Sequence, residues 1–387
     1  MNIPPVNRRF IISSMYIFLV TGALVLMTSA LLTYLMQHYA LSYDQGGLLL
    51  SFLAAGSILS NFISGTVAVR IGHKPTLFIA AVCYFTGYAG LTLLPPLGVL
   101  YGLLFVAGLG WGAFNNLVNY LMTSATRGDG RKILAVHTMY SLGAFLAPLL
   151  LGLAVSLSFS WRVPAGLMSF LCLLLIGVVL FMPIPVLPLP VRKAGHKSFA
   201  FLRKWRFYLF MLLLFAYVGT EAGYNGWVIS YLIRQHRYAE ADAQFLLSVM
   251  WVAMIIGRVA IALLSSKSRM AWILLLEGVG VTIGAILLIF AGQPAGLIVA
   301  IVLIGLSLSA CYGMILANAS DLVVESSIVS GLMMSLGGLG ATIMPLIVGI
   351  AAERGGIRAG MGFLAASSGF LMLLATVNVI SKKVRKY

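Results

Sequence analysis

Glu221 is the one acid in an apolar run that extends from Arg206 to Arg234. On a helix rising about 1.5 Å per residue it would lie roughly 22 Å from Arg206 and roughly 20 Å from Arg234. If the run crosses a bilayer, that is mid-depth, where an ionised acid costs about 2.5–3.5 kcal/mol by insertion scales. Such a residue faces a bundle interior or a wet cavity, and the chemistry it offers is uptake and release of a proton. Tyr224 and Asn225 follow three and four residues on, which puts them on the same helical face. Trp227 and Tyr231 come next, and Gly219, Gly223 and Gly226 loosen the helix. The plainer alternative is a structural acid, neutral or paired with an arginine from another helix.

Other polar positions lie inside apolar runs. Asn115, Asn116 and Asn119 share one helical face, and three amides together suggest the wall of a polar cavity, whereas a single amide is often interhelical glue. His137, with Tyr140 and Ser141, stands near a helix end, where it would reach the headgroup region; a histidine also titrates near neutral pH, which leaves a proton role open. Arg258 is nine residues from Lys267, deep enough that its charge should be paired or snorkelling. Its expected partners are Glu221 or a solute. Glu277 is read as a structural partner on a peripheral helix. Gly337-Gly-Leu-Gly340 lacks the strand-turn-helix setting of a phosphate loop and reads as close helix packing.

The elements that hold these residues follow from composition. The chain has 387 residues, 61% of them hydrophobic and 9% charged, with mean hydropathy +1.04; a soluble domain carries about 25% charged residues. About twelve spans of the length a bilayer demands are predicted: 10–36, 46–69, 76–94, 97–125, 133–157 and 163–183, then 206–233, 243–264, 271–291, 296–319, 328–352 and 360–381. Pro95-Pro96 and Gly292-Gln-Pro294 divide runs that would otherwise be too long. The first apolar stretch, 10–36, is longer than that of a signal peptide and is read as a retained helix. The expected domains are a bundle over 1–183, a basic linker over 184–205, and a second bundle with a short basic tail over 206–387.

Alternate loops, counted from the N-terminus, hold 19 of the 25 lysines and arginines, against five in the opposite loops. The positive-inside rule then puts both termini in the cytoplasm. This accounts for the net charge of +16 without nucleic acid, and the basic loops can touch anionic lipid. Cys83, Cys172 and Cys311 fall inside apolar runs and read as small buried hydrophobes. Leu50-Ser51 is echoed by Leu247-Ser248. Ser141-Leu-Gly143 followed by Pro148 is echoed by Ser335-Leu-Gly337 followed by Pro345. Two related halves of like orientation are expected. The sequence has no Gly-Lys dipeptide for an ATPase-type phosphate loop, no metal-ligand spacing and no catalytic triad in a soluble domain. The reading is therefore an all-α membrane protein and a secondary transporter, not an enzyme, with no cofactor and no metal.

Gly65-Thr-Val-Ala-Val-Arg-Ile-Gly-His-Lys74, after the second span, resembles the loop signature of the major facilitator superfamily, with Val69 where that pattern has an acid. The twelve spans and the central basic loop match across nearly the whole chain. Val136-His-Thr-Met-Tyr-Ser-Leu-Gly-Ala-Phe-Leu-Ala-Pro148, Tyr217-Val-Gly-Thr-Glu221, Trp251 and Ile256-Gly-Arg258 resemble the fucose/glucose–proton symporter group within it. The resemblance implies two pseudo-symmetric six-helix bundles rocking about a midplane site formed by spans one, four, seven and ten. It implies solute contacts from Thr28, Tyr34, Asn115, Asn116, Asn119, Tyr224, Asn225, Trp227, Tyr312 and Asn318, and proton coupling through Glu221, with His137 and Arg258 as helpers. The group's acid in the first span has no match here. An ionic cytoplasmic gate is expected from Arg127 and Arg131 against Asp321 and Glu325. The expected activity is proton-coupled uptake of a sugar or similar polar metabolite by a monomer. The alternatives are proton-driven export, since Gly143-Ala-Phe-Leu-Ala-Pro148 loosely resembles an exporter motif, and a non-transporting sensor with a carrier fold.

Overall fold

The computed structural model describes residues 7–126, 130–185, 200–264, 269–319, 322 and 327–384. These form α1 (Arg8–His38), α2 (Tyr43–Ile71), α3 (His73–Thr92), α4 (Leu97–Ala125), α5 (Gly130–Ser156), α6 (Arg162–Phe181), a 3-10 turn (Ala200–Arg203), α7 (Trp205–His236), α8 (Glu240–Leu264), α9 (Met270–Phe290), α10 (Pro294–Leu308), α11 (Cys311–Asn318), α12 (Ser327–Gly355) and α13 (Ile357–Val384). Among the described residues twelve segments are long and apolar enough to cross a membrane, with α10 and α11 forming one of them.

Local chemistry sets the ends. Pro96 is the N-cap of α4, and Pro294 sits at the first turn of α10, where its missing N–H costs nothing. Gly72 and Gly356 take positive φ between α2 and α3 and between α12 and α13, as such reversals favour. Arg237 closes α7 in the left-handed region, and the next residue, Tyr238, donates its N–H to the Leu232 carbonyl at 3.2 Å. Outward faces are apolar: Phe170, Leu173, Leu174 and Phe181 on α6 and Leu276, Ile283 and Phe290 on α9 are all exposed. That is the surface a helix presents to lipid.

One predicted span is not a single helix. The segment read as 296–319 breaks at Ser309–Ala310, because two side chains from other helices satisfy the peptide groups freed there.

By packing, the chain divides into two compact units, Met1–Tyr34 with Phe52–Lys193 and Leu35–Ser51 with Ala194–Tyr387. Within the first, an added Cβ on Gly22 would strike the Tyr140 carbonyl oxygen, and one on Gly143 the Leu19 carbonyl oxygen, so α1 and α5 touch backbone to backbone. Gly108 likewise lies on the Leu53 carbonyl oxygen, joining α4 to α2. Within the second unit Gly219 and Gly340 bring α7 and α12 together, and Gly305 lies on the Met250 carbonyl oxygen, joining α10 to α8. The positions correspond (22 to 219, 143 to 340, 108 to 305, 53 to 250), an offset of 197 that also carries Pro148 to Pro345. Small residues at such crossings let helices approach without a side chain between them. The contacts therefore match Gly143 with Gly340, about one turn beyond the Gly337 suggested by sequence.

The hairpin 35–51 packs inside the second unit. The Tyr43 N–H donates to Glu353 Oε2 at 2.8 Å, Ser51 Oγ donates to the Thr342 carbonyl at 2.6 Å, and the Tyr43 ring meets that of Trp227 with centroids 5.8 Å apart. Gly47 rests on Pro345 and Gly349 on Tyr43, each with room for no side chain.

Candidate functional site

Glu221 lies midway along α7, whose buried residues occupy nearly every turn from Arg206 to Leu232. Protein atoms surround it, yet part of its side chain remains accessible. Tyr217, one turn earlier, is buried and hydrogen-bonds the Glu221 carboxyl; Arg258 of α8 is within electrostatic reach of both. The Arg258 Nε donates to the Ser309 carbonyl at 2.8 Å. The Tyr312 ring has its centroid 6.4 Å from that of Tyr217 and is 38% exposed, so an aromatic face stays accessible beside Tyr217. An acid, a phenol and a guanidinium at mid-helix can exchange a proton and feel its charge, which is what coupling chemistry needs.

The remaining candidates fall into two groups. Several are closed into packing: Trp227 is fully buried with Nε1 donating to the Pro345 carbonyl at 2.9 Å, Tyr224 is buried, and Asn225 accepts from Trp251 Nε1 at 3.2 Å. Asn318 is buried, donating to the carbonyls of Met314 and Met270 while its own carbonyl accepts from Arg206. In the first unit Thr28 is buried with its hydroxyl 2.7 Å from that of Tyr88, and Tyr34 stacks on Trp161. The amide face divides. Asn116 donates to the Asn61 carbonyl and to Ser64 Oγ, tying α4 to α2, while Asn115 is exposed and accepts from Asn119 Nδ2. His137 is partly accessible and meets the Phe18 ring edge-on at 5.2 Å.

Of the expected gate, Arg127, Asp321 and Glu325 lie outside the described residues. Arg131 is in α5, with its side chain outside them too. Among the described residues no cluster of histidine, cysteine or acid side chains is arranged to hold a metal. Tyr217 is not among the residues expected from sequence to act with Glu221; its spacing of four residues, one helical turn, is the signal that pairs them. The sequence marks Glu277 as a lone acid in an apolar run but carries no signal that it lies against the break in span ten.

Among the described residues, twelve segments of membrane-crossing length, in two units that repeat the same helix contacts at an offset of 197, define a multi-pass membrane protein. The chain belongs to the Major Facilitator Superfamily, whose family model matches residues 11–345, and it is a transporter, not an enzyme. It is 20% identical to the glucose/mannose transporter GlcP of Bacillus subtilis, over 95% of this chain and 93% of that one. It is 23% identical to the cis,cis-muconate transport protein of Acinetobacter baylyi, over 92% and 89%. The solved structure of the nucleoside transporter NupG matches its fold with a TM-score of 0.72 at 16% identity, covering 98% of this chain and 99% of that one.

Proposed function

We propose that this protein is a proton-coupled symporter that brings a sugar or similar small polar metabolite into the cell by alternating access, working as a monomer in the cytoplasmic membrane with both termini inside. The observation that carries the reading is Glu221: accessible at mid-helix, bonded to Tyr217 and within reach of the Arg258 charge. A carboxyl so placed can hold a proton on one side of the cycle and lose it on the other, with Arg258 compensating the charge left behind. The accessible amides of Asn115 and Asn119 and the open face of Tyr312 suit a neutral solute rich in hydroxyl groups. That GlcP carries glucose and mannose supports the same class.

Gly143, which carries the exporter resemblance, has a packing role against Leu19, so that motif needs no transport function to account for it. The test is uptake of a panel of labelled neutral sugars into vesicles with and without an inward proton gradient. The wild type is expected to concentrate one of them only with the gradient. Glu221→Gln is expected to abolish accumulation while leaving exchange across the membrane partly intact. Accumulation by Glu221→Gln equal to wild type would overturn the coupling role.

A further inference from the structure

We propose that Glu277 is a second proton-binding residue and that its ionisation state sets the geometry of the break in span ten. Glu277 is on α9 and is 3% exposed. Its Oε1 accepts the Ala310 N–H at 2.9 Å. Ala310 is the residue at which the helix is interrupted, between the end of α10 at Leu308 and the start of α11 at Cys311. The neighbouring peptide is held from the other side, where Arg258 Nε donates to the Ser309 carbonyl. Two consecutive residues of the break are thus each satisfied by a charge-bearing side chain, one acidic from α9 and one basic from α8.

The second carboxyl oxygen, Oε2, is buried without a hydrogen-bond partner, as is Ser309 Oγ. An ionised carboxylate calls for donors on both oxygens, and leaving one bare in a buried setting costs about 1–3 kcal/mol or more for a charged group. Protonation removes that buried charge, the larger part of the cost: Oε1 keeps its bond to Ala310, and Oε2 carries the proton.

The charged and titratable groups around the site are Arg258 on α8, the Cys311 thiol on α11 and Glu221 on α7, which acts on Cys311 electrostatically as Glu277 does. The Cys311 thiol lies 3.4 Å from the Ser307 carbonyl oxygen and is also within hydrogen-bonding reach of the Glu277 carboxyl. On its other flank α9 meets α13 through Met372 against Gly278. When Glu277 loses its proton, the new charge sits one residue along the break from the peptide that Arg258 holds. The guanidinium is drawn toward it, and Ser309 is released. Tyr312, the accessible ring beside Tyr217, is three residues past Ser309 and moves with it.

The proposal is independent of whether Glu221 couples transport, and the experiment separates the two. Infrared difference spectra of the purified protein, stepped in pH without any solute, should show carboxylic acid bands from buried groups that disappear as pH rises. Glu221→Gln should remove one and Glu277→Gln the other. A nitroxide label on Gly313→Cys, a position with open space around it, should change mobility over the same pH range in wild type and lose that response in Glu277→Gln. Should Glu277→Gln yield no folded protein, Glu277→Asp serves instead, since a band belonging to this residue must shift on shortening it. Spectra and label response unchanged in Glu277→Gln, or a band unmoved in Glu277→Asp, would overturn the proposal, whatever Glu221→Gln does.

Discussion

Asn115, Asn116 and Asn119 share one face in sequence, but hydrogen bonding separates them in the structure. Asn116 joins α4 to α2, and Asn115 and Asn119 bond to each other and stay accessible. Asn116→Ala is expected to destabilise the folded protein by about 0.6–2 kcal/mol, the range for interhelical bonds in membranes. Asn119→Ala should leave stability within about 0.5 kcal/mol while weakening uptake at low solute concentration. Thermal melting in detergent beside transport kinetics checks both. A like distinction holds on α7, where Trp227→Phe is expected to cost about 0.5–1.5 kcal/mol by losing its bond to Pro345. The sequence revealed the mid-depth acid, because a lone charge in an apolar run is visible without coordinates. It could not tell which of Tyr224, Asn225 and Trp227 would be closed off. Their partners, Trp251 on α8 and Pro345 on α12, are distant in sequence.

At the scale of the helix, the ends were legible and the contacts were not. Proline pairs and glycines marked where spans stop, since those residues act on their own backbone. The break at Ser309–Ala310 was hidden because α8 and α9 supply what stabilises it. The backbone seams were hidden for the same reason: one glycine among 41 gives no sign of what it faces. Substituting them brings the difference out. Gly143→Ala and Gly340→Ala each drive a methyl into a carbonyl oxygen of the facing helix and should cost about 1–3 kcal/mol. Gly177→Ala on α6 meets nothing within 4 Å and should be neutral or stabilising by up to about 1 kcal/mol. Melting temperatures of the three variants decide it, and equal effects would deny that the seams matter.

For the molecule as a whole, twelve spans and a duplicated plan were readable from hydropathy and a few echoed residues. The offset of 197 needed the contacts, since few side chains are shared at the matching positions. Leu24 stands where the second unit has Glu221, at that same offset. Duplication therefore accounts for the scaffold, while the acid is particular to one half. The uneven distribution of lysine and arginine predicts that a fluorescent protein fused after Tyr387 folds and emits inside the cell. Labelling by an impermeant thiol reagent should then reach Ser42→Cys from outside but not a cysteine placed beside Lys74. The reverse pattern would invert the topology.

The hairpin 35–51 has a consequence for how this gene can be divided. It is encoded in the first half and seated in the second, where Gly47 and Gly349 leave room for backbone alone. A cut at the central linker would give two fragments that are not two modules. Fragment 195–387 would present an empty seat along α12 and beside Trp227, and fragment 1–190 would carry the missing piece as a projecting arm. Expressed together, the fragments are expected to copurify through that arm. Expressed alone, the second should be recovered in much lower amount, because a cut at the linker separates the hairpin from the unit it packs in.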